Sequence, residues 1–119
     1  MDEKDREKLE RIIDDRKKAH QYLVSKGSRV YRTFLDLEKE AFSSGNLEKK
    51  YKELVALGIS IVINCESCIE WHTAQALKAG ASEEQVLEAI EVGIEMGGGP
   101  ATVSSRFALK ALEYHGGKK

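Results

Sequence analysis

Proline occurs once in this chain, at Pro100. Proline ends helices by removing an amide donor and clashing with the preceding turn. Nothing of that kind interrupts the first 99 residues, and apolar residues recur there at helical spacing. Leu9, Ile12, Ile13, Leu23 and Val24 predict a helix over 2–25, ended by Gly27 and Ser28. Val30, Phe34, Leu37 and Ala41 continue the spacing in a second helix, and Ser43 to Asn46 reads as a turn. The stretch 47–63 is ambiguous. Leu54, Val55, Gly58, Ile61 and Val62 fall on one half of a helical wheel, with Glu53, Ser60 and Asn64 opposite. Ile59, Ile61, Val62 and Ile63 are β-branched and would suit a short buried strand. Helix is the better reading, because a lone strand would leave its backbone donors and acceptors unpaired.

A further helix is expected from about Cys65 to Ala79, closed by Gly80. Ser82 and Gln85 form a capping box that opens the next, with Val86, Leu87, Ile90, Val92 and Ile94. Gly97 to Gly99 break it, and Pro100 sits where a first-turn proline belongs. A last helix carries Val103, Phe107, Leu109 and Leu112 and stops at Gly116. The expectation is an all-α domain of five to six helices spanning residues 1–119, with a central antiparallel helix hairpin. Residues 1–45 supply N-terminal helices, 47–115 a motif-bearing core, and the closing GGKK a frayed tail.

Charge excludes several functions. With 19 basic and 20 acidic residues the net charge is -1, so no basic field exists to hold nucleic acid or an anionic membrane. The apolar run Val55 to Ile63 falls far short of the roughly 20 residues that span a bilayer. The opening MDEKDREKLE is charged rather than apolar and does not resemble a secretory signal, so a cytoplasmic location is expected. Apolar residues such as Ile59, Trp71 and Phe107 lie on more than one face and predict self-association.

Chemistry concentrates in Cys65-Glu-Ser-Cys68-Ile-Glu-Trp-His72. At about 100° per residue, Cys68 lies about 60° and His72 about 20° from Cys65 around a helix. All three share one face. Two cysteines so close staple little chain, so their use is chemical rather than architectural. Unpaired amides and the positive dipole at a helix start stabilise a thiolate, and His72 is placed to take or hold a proton beside it. These are the parts of reversible two-electron thiol chemistry.

Glu53 is the next candidate. If the chain reverses near Ile63 and Asn64, Glu53 lies about ten residues before the turn and His72 about eight after it, at similar depth in a hairpin. A carboxylate there could orient the imidazole, with Ser60 and Asn64 continuing the polar stripe toward Cys65. Glu66, Ser67 and Glu70 are expected to be exposed, and His20 and His115 to be surface residues. A zinc reading stays open: Cys65, Cys68 and His72 supply three ligands, with Glu53 or His115 as a fourth, although the second ligand pair of a closed zinc site is missing. A c-type haem would need histidine directly after Cys68, where Ile69 stands.

The joint pattern resembles the carboxymuconolactone decarboxylase superfamily, in particular its alkylhydroperoxidase D (AhpD)-like branch. The resemblance covers roughly 47–115. It rests on Glu53 twelve residues before Cys65, on CESCIEWH, on the following HTAQALKAGAS, and on EVGIEMGGGPATVSSRFALKALE. It implies an all-helical fold, homo-oligomers (commonly trimers or hexamers), and peroxidase or disulfide-reductase activity without metal or prosthetic group. By matching position, Cys68 would be the attacking thiolate. Cys65 would be the partner thiol that protonates the leaving group and closes the disulfide. His72 and Glu53 would form the proton relay. The substrate would be a small hydroperoxide or disulfide, and the reductant an external thiol donor of thioredoxin-like or lipoyl type. One departure stands out: some AhpD enzymes carry a relay histidine directly before the second cysteine, where this chain has Ser67. Decarboxylase or lactone chemistry on a small carboxylate is the alternative enzymatic reading, with His72 and Glu53 as acid and base. A structural zinc clip or redox-sensing helical oligomer is the non-enzymatic one.

Overall fold

A computed structural model describes residues 1–117. Among them the chain forms six helices and no strand: α1 (Glu3–Ser25), α2 (Arg29–Phe42), α3 (Lys49–Val62), α4 (Glu66–Lys78), α5 (Glu83–Gly97) and α6 (Gly99–Gly116). The β-branched stretch before Cys65 is helical, as the pairing argument requires. Of the expected tail, Gly116 ends α6 and Gly117 caps it, while Lys118 and Lys119 lie outside the described residues.

Local chemistry sets the boundaries. Asp2 with Asp5, and Ser82 with Gln85, form capping boxes at the starts of α1 and α5. Ser28 caps α2 by accepting the Tyr31 amide. Asn64 adopts φ 55, the left-handed conformation that asparagine tolerates, and carries the reversal between α3 and α4. The Cys65 amide donates back to the Ser60 carbonyl at 3.1 Å, closing that turn. α3 and α4 therefore form the expected antiparallel hairpin, with Glu53 opposite His72.

α3 to α6 pack together around Leu57, Ile61, Ile69, Val86, Ile90 and Ala108, all 1% exposed or less. α1 lies across α4 and α6, burying Leu9 and linking Lys8 to Glu66, Arg16 to Glu70, and Asp5 to Lys110. α3 and α5 cross closely at Gly58 and Gly93. A Cβ on Gly93 would meet the Gly58 carbonyl oxygen at 3.1 Å and Ile61 Cβ at 3.2 Å. Glycine there lets the two helices approach this closely.

The structure fixes which faces of α2 and α3 are buried, and corrects one expectation on α6. On α3 the buried residues are Glu53, Leu57, Ser60 and Ile61, while Val55, Ile59 and Val62 are exposed. Glu53 and Ser60 of the polar half are buried together with Ile61 of the apolar half, and Glu53 is accommodated because it finds His72 and Lys49, partners that offset its desolvation. On α2, Val30, Phe34 and Leu37 point outward, and no residue of that helix is fully buried. On α6, Phe107 is a core residue and contributes nothing to an outer face, unlike Ile59; Trp71 is half-buried. Val92 of α5 is likewise exposed. With Val55, Ile59, Val62 and Met96 it lines an open apolar groove of about 680 Å³ between α3 and α5. No helix of the described residues is long and apolar enough to cross a membrane.

Candidate active site

α4 starts at the motif. Cys65 is its N-cap, in extended conformation, and its Sγ accepts the backbone N–H of Cys68 at 3.2 Å. Sulfur thus takes the capping place usually held by a serine or aspartate oxygen. Cys65 and Cys68 are joined by a disulfide across this first turn, with Cα atoms 5.2 Å apart. Both residues are half-buried, so the sulfurs can be approached.

One turn further along, the His72 imidazole is 15% exposed, and its Nδ1 lies 2.7 Å from Glu53 Oε1. Glu53, only 2% exposed, also accepts from Lys49 Nζ at 2.7 Å through Oε2. Burial pushes the Glu53 carboxyl up. The hydrogen bonds from His72 and Lys49, with their charges, outweigh burial and hold it below the usual carboxylate range. An ionised Glu53 fixes the hydrogen on Nδ1 and leaves Nε2, at the far side of the ring, as the basic nitrogen. The four residues expected to form the site are therefore positioned by the hairpin: two sulfurs and an imidazole on α4, and a carboxylate on α3 behind the imidazole.

The rest of the expected polar stripe does not form. The Ser60 hydroxyl donates to the Ala56 carbonyl of its own helix at 2.7 Å. The Asn64 side chain turns toward α6, accepting from Ser104 Oγ at 3.0 Å.

A second histidine–glutamate pair flanks α4 on another side. Glu70, expected to be exposed, is 2% exposed; His115, expected on the surface, places Nε2 2.6 Å from Glu70 Oε2. Arg16 of α1 donates to Glu70 Oε1 at 2.5 Å and to the Ser67 carbonyl and hydroxyl at 3.1 and 3.2 Å. Burial again pushes the Glu70 carboxyl up, and the bonds from His115 and Arg16 overcome it, leaving it below the usual range. Glu66 and Ser67 do reach the surface, Glu66 paired with Lys8 at 2.7 Å. His20 is exposed, as expected, beside Tyr31. His115 is thus committed to Glu70 rather than to the cysteines. Among the described residues no three His, Cys, Asp or Glu side chains converge as metal ligands.

Sequence reasoning missed Arg16, Phe42, Lys49, Glu70 and His115. Lys49 carried a signal, since it stands four residues before Glu53 on one helix face. Phe42 stacks on His72, with centroids 5.2 Å apart and planes 29° apart. Nothing in the spacing of the chain announces that contact. A cavity of about 210 Å³ opens beside Glu53, lined by Glu38, Phe42, Lys49, Trp71 and Gln75 among others.

Comparison with known proteins agrees with this fold. The pattern of the Carboxymuconolactone decarboxylase family matches residues 28–111. An uncharacterized protein of the cox locus of Paracoccus denitrificans is 39% identical over 87 residues, covering 73% of this chain and 78% of its own. A carboxymuconolactone decarboxylase family protein from Legionella pneumophila superposes with a TM-score of 0.86 at 30% identity, over 91% of this chain and 96% of its own. A Thermotoga maritima family member, whose description raises an involvement in antioxidative response, superposes with a TM-score of 0.78 at 30% identity, over 87% and 88% of the two chains. The AhpD-like branch is compatible with all of these. Six helices, the Cys-x-x-Cys pair on α4 and the match over 28–111 lead to one assignment: the chain belongs to the carboxymuconolactone decarboxylase family.

Proposed function

We propose that this protein is a thiol-dependent oxidoreductase of the AhpD-like kind, reducing organic hydroperoxides or small disulfides through a Cys65–Cys68 cycle. The observation that carries the reading is the half-buried sulfur pair at the head of α4, backed one turn later by a buried His72–Glu53 pair. In the reduced enzyme His72 takes the Cys68 proton. The Cys68 thiolate attacks the terminal peroxide oxygen, the O–O bond breaks, and Cys65 protonates the departing alkoxide. Cys68 is now a sulfenic acid and Cys65 a thiolate, held by the Cys68 amide it already faces. Cys65 attacks the Cys68 sulfur, the S–O bond breaks, and hydroxide leaves as water with the proton from His72. Two thiols and one hydroperoxide thus give a disulfide, an alcohol and water. An external dithiol of thioredoxin-like or lipoyl type then attacks Cys68, expelling Cys65, and its second thiol releases Cys68.

The test is peroxide consumption driven by dithiothreitol. The Cys65→Ser/Cys68→Ser double variant is expected to fall to the uncatalysed rate. Wild-type consumption by that variant would refute the cycle. Activity on a small carboxylate that survives thiol alkylation would instead favour decarboxylase or lactone chemistry at His72 and Glu53.

The same reading includes a homo-oligomer, a trimer or hexamer. Support comes from two apolar surfaces on one chain, the outer face of α2 and the groove between α3 and α5.

A further inference from the structure

A single hydrogen bond fixes one atom of an imidazole and leaves the ring free to swing about that atom. His72 has a second constraint, from outside the hairpin. Phe42, the last residue of α2, lies against its face as an offset stack, centroids 5.2 Å apart. Lys49 Nζ sits 5.5 Å from the Phe42 ring centroid and 2.7 Å from Glu53 Oε2. The contacts close a circuit: Phe42 on His72, His72 on Glu53, Glu53 on Lys49, Lys49 on Phe42.

The connection from α2 to α3 is tied down on either side of this circuit. Lys52 Nζ donates to the Ser43 carbonyl at 2.6 Å, the Lys49 amide to Ser44 Oγ at 2.9 Å, and the Gly45 amide to the Leu47 carbonyl at 3.1 Å. Further along α2, Tyr31 meets His20 of α1 at 2.6 Å, while Val30, Phe34 and Leu37 face away. The ring that α2 places against the Glu53-bound histidine is Phe42.

We infer that Phe42 is a positioning residue of the redox site: by stacking on His72 within the Lys49–Glu53 circuit, it holds the imidazole in the orientation that keeps Nδ1 on Glu53 and leaves Nε2 free for the proposed proton transfer. The consequence for turnover rests on the proposed thiol cycle; the orientation itself does not. The other charged groups around this end of the ring are Glu53 and Lys49 of α3 and Glu38 and Lys39 of α2, which share the adjoining cavity. A plain packing role would be met by any apolar side chain of similar bulk, whereas stacking needs an aromatic ring.

The experiment compares wild type, Phe42→Leu and Phe42→Trp by two readouts. The first is the proton on Nδ1 of His72, followed by NMR of protein labelled in its three histidines and assigned by its loss in His72→Gln. The second is the single-turnover rate of dithiol oxidation by cumene hydroperoxide. Wild type is expected to show a slowly exchanging Nδ1 proton. In Phe42→Leu that signal broadens away and oxidation slows by about ten- to a hundredfold, the cost of a misplaced catalytic group. Phe42→Trp restores both. Retention of signal and rate in Phe42→Leu overturns the inference, as does failure of Phe42→Trp to restore them or absence of the proton in wild type. If Phe42→Leu does not fold, Phe42→Met takes its place. If peroxide fails to oxidise the wild-type dithiol, the thiol cycle is wrong, and the Nδ1 signal still decides the role of Phe42.

Discussion

At the scale of single residues, Cys65 does two jobs at once. Its sulfur is half of the disulfide, the proposed redox pair, and also the side-chain cap of α4. The two roles separate by substitution. Serine is a good N-cap, so reduced Cys65→Ser is expected to melt close to reduced wild type while losing dithiothreitol-dependent peroxide reduction. Cys65→Ala should lose the same activity and in addition about 0.5–2 kcal/mol of stability, read from denaturant unfolding under reducing conditions. Cys65, Cys68 and His72 were legible in the chain because their spacing alone puts them on one helix face. Glu53 followed from counting back across the turn at Asn64. Glu70 and His115 could not be read that way. They are 45 residues apart and on different helices, and a charged residue in a chain with 33% charged residues reads by default as solvated.

At the scale of the element, α4 is held from two sides by buried carboxylates: Glu53 of α3 grips His72, and its own Glu70 grips His115 of α6 and Arg16 of α1. Both carboxyls are held below their usual 4.5 in the folded protein. A depressed carboxyl stabilises the fold fully above its unfolded value and loses that contribution as pH falls through the folded value. Thermal stability is therefore expected to drop below pH 4.5, and melting curves should show a shallower acid loss in Glu70→Gln than in wild type. An equal acid slope in both proteins would remove Glu70 from this account. The periodicity of α3 identified a helix without fixing its orientation, and the buried arc straddles both halves of the wheel, taking Glu53 and Ser60 from one and Ile61 from the other. A wheel separates polar from apolar faces; it does not reveal that a carboxylate on the polar face has partners inside.

At the scale of the whole molecule, apolar residues that the core does not use remain. Leu37 and Phe34 on α2 and Ile59, Val92 and Met96 around the groove are all more than half exposed. They leave a ridge and a groove on the same chain, which suits association between copies. Sizing with light scattering is expected to find a homo-oligomer, with Ile59→Glu and Leu37→Glu each shifting it toward smaller species. A wild-type monomer at high concentration would contradict this.

The crossing of α3 and α5 gives the site an unlooked-for dependence. α5 contributes none of the proposed reacting groups, yet Gly93 lies so close to α3 that a Cβ there would come within 3.1 Å of the Gly58 carbonyl oxygen and 3.2 Å of Ile61. A methyl group there requires the Gly58 carbonyl or the Ile61 side chain to yield by a few tenths of an ångström. The helix it presses against is the one that bears Glu53. The bare backbone of a glycine on α5 thus helps set how closely the carboxylate-bearing helix can sit.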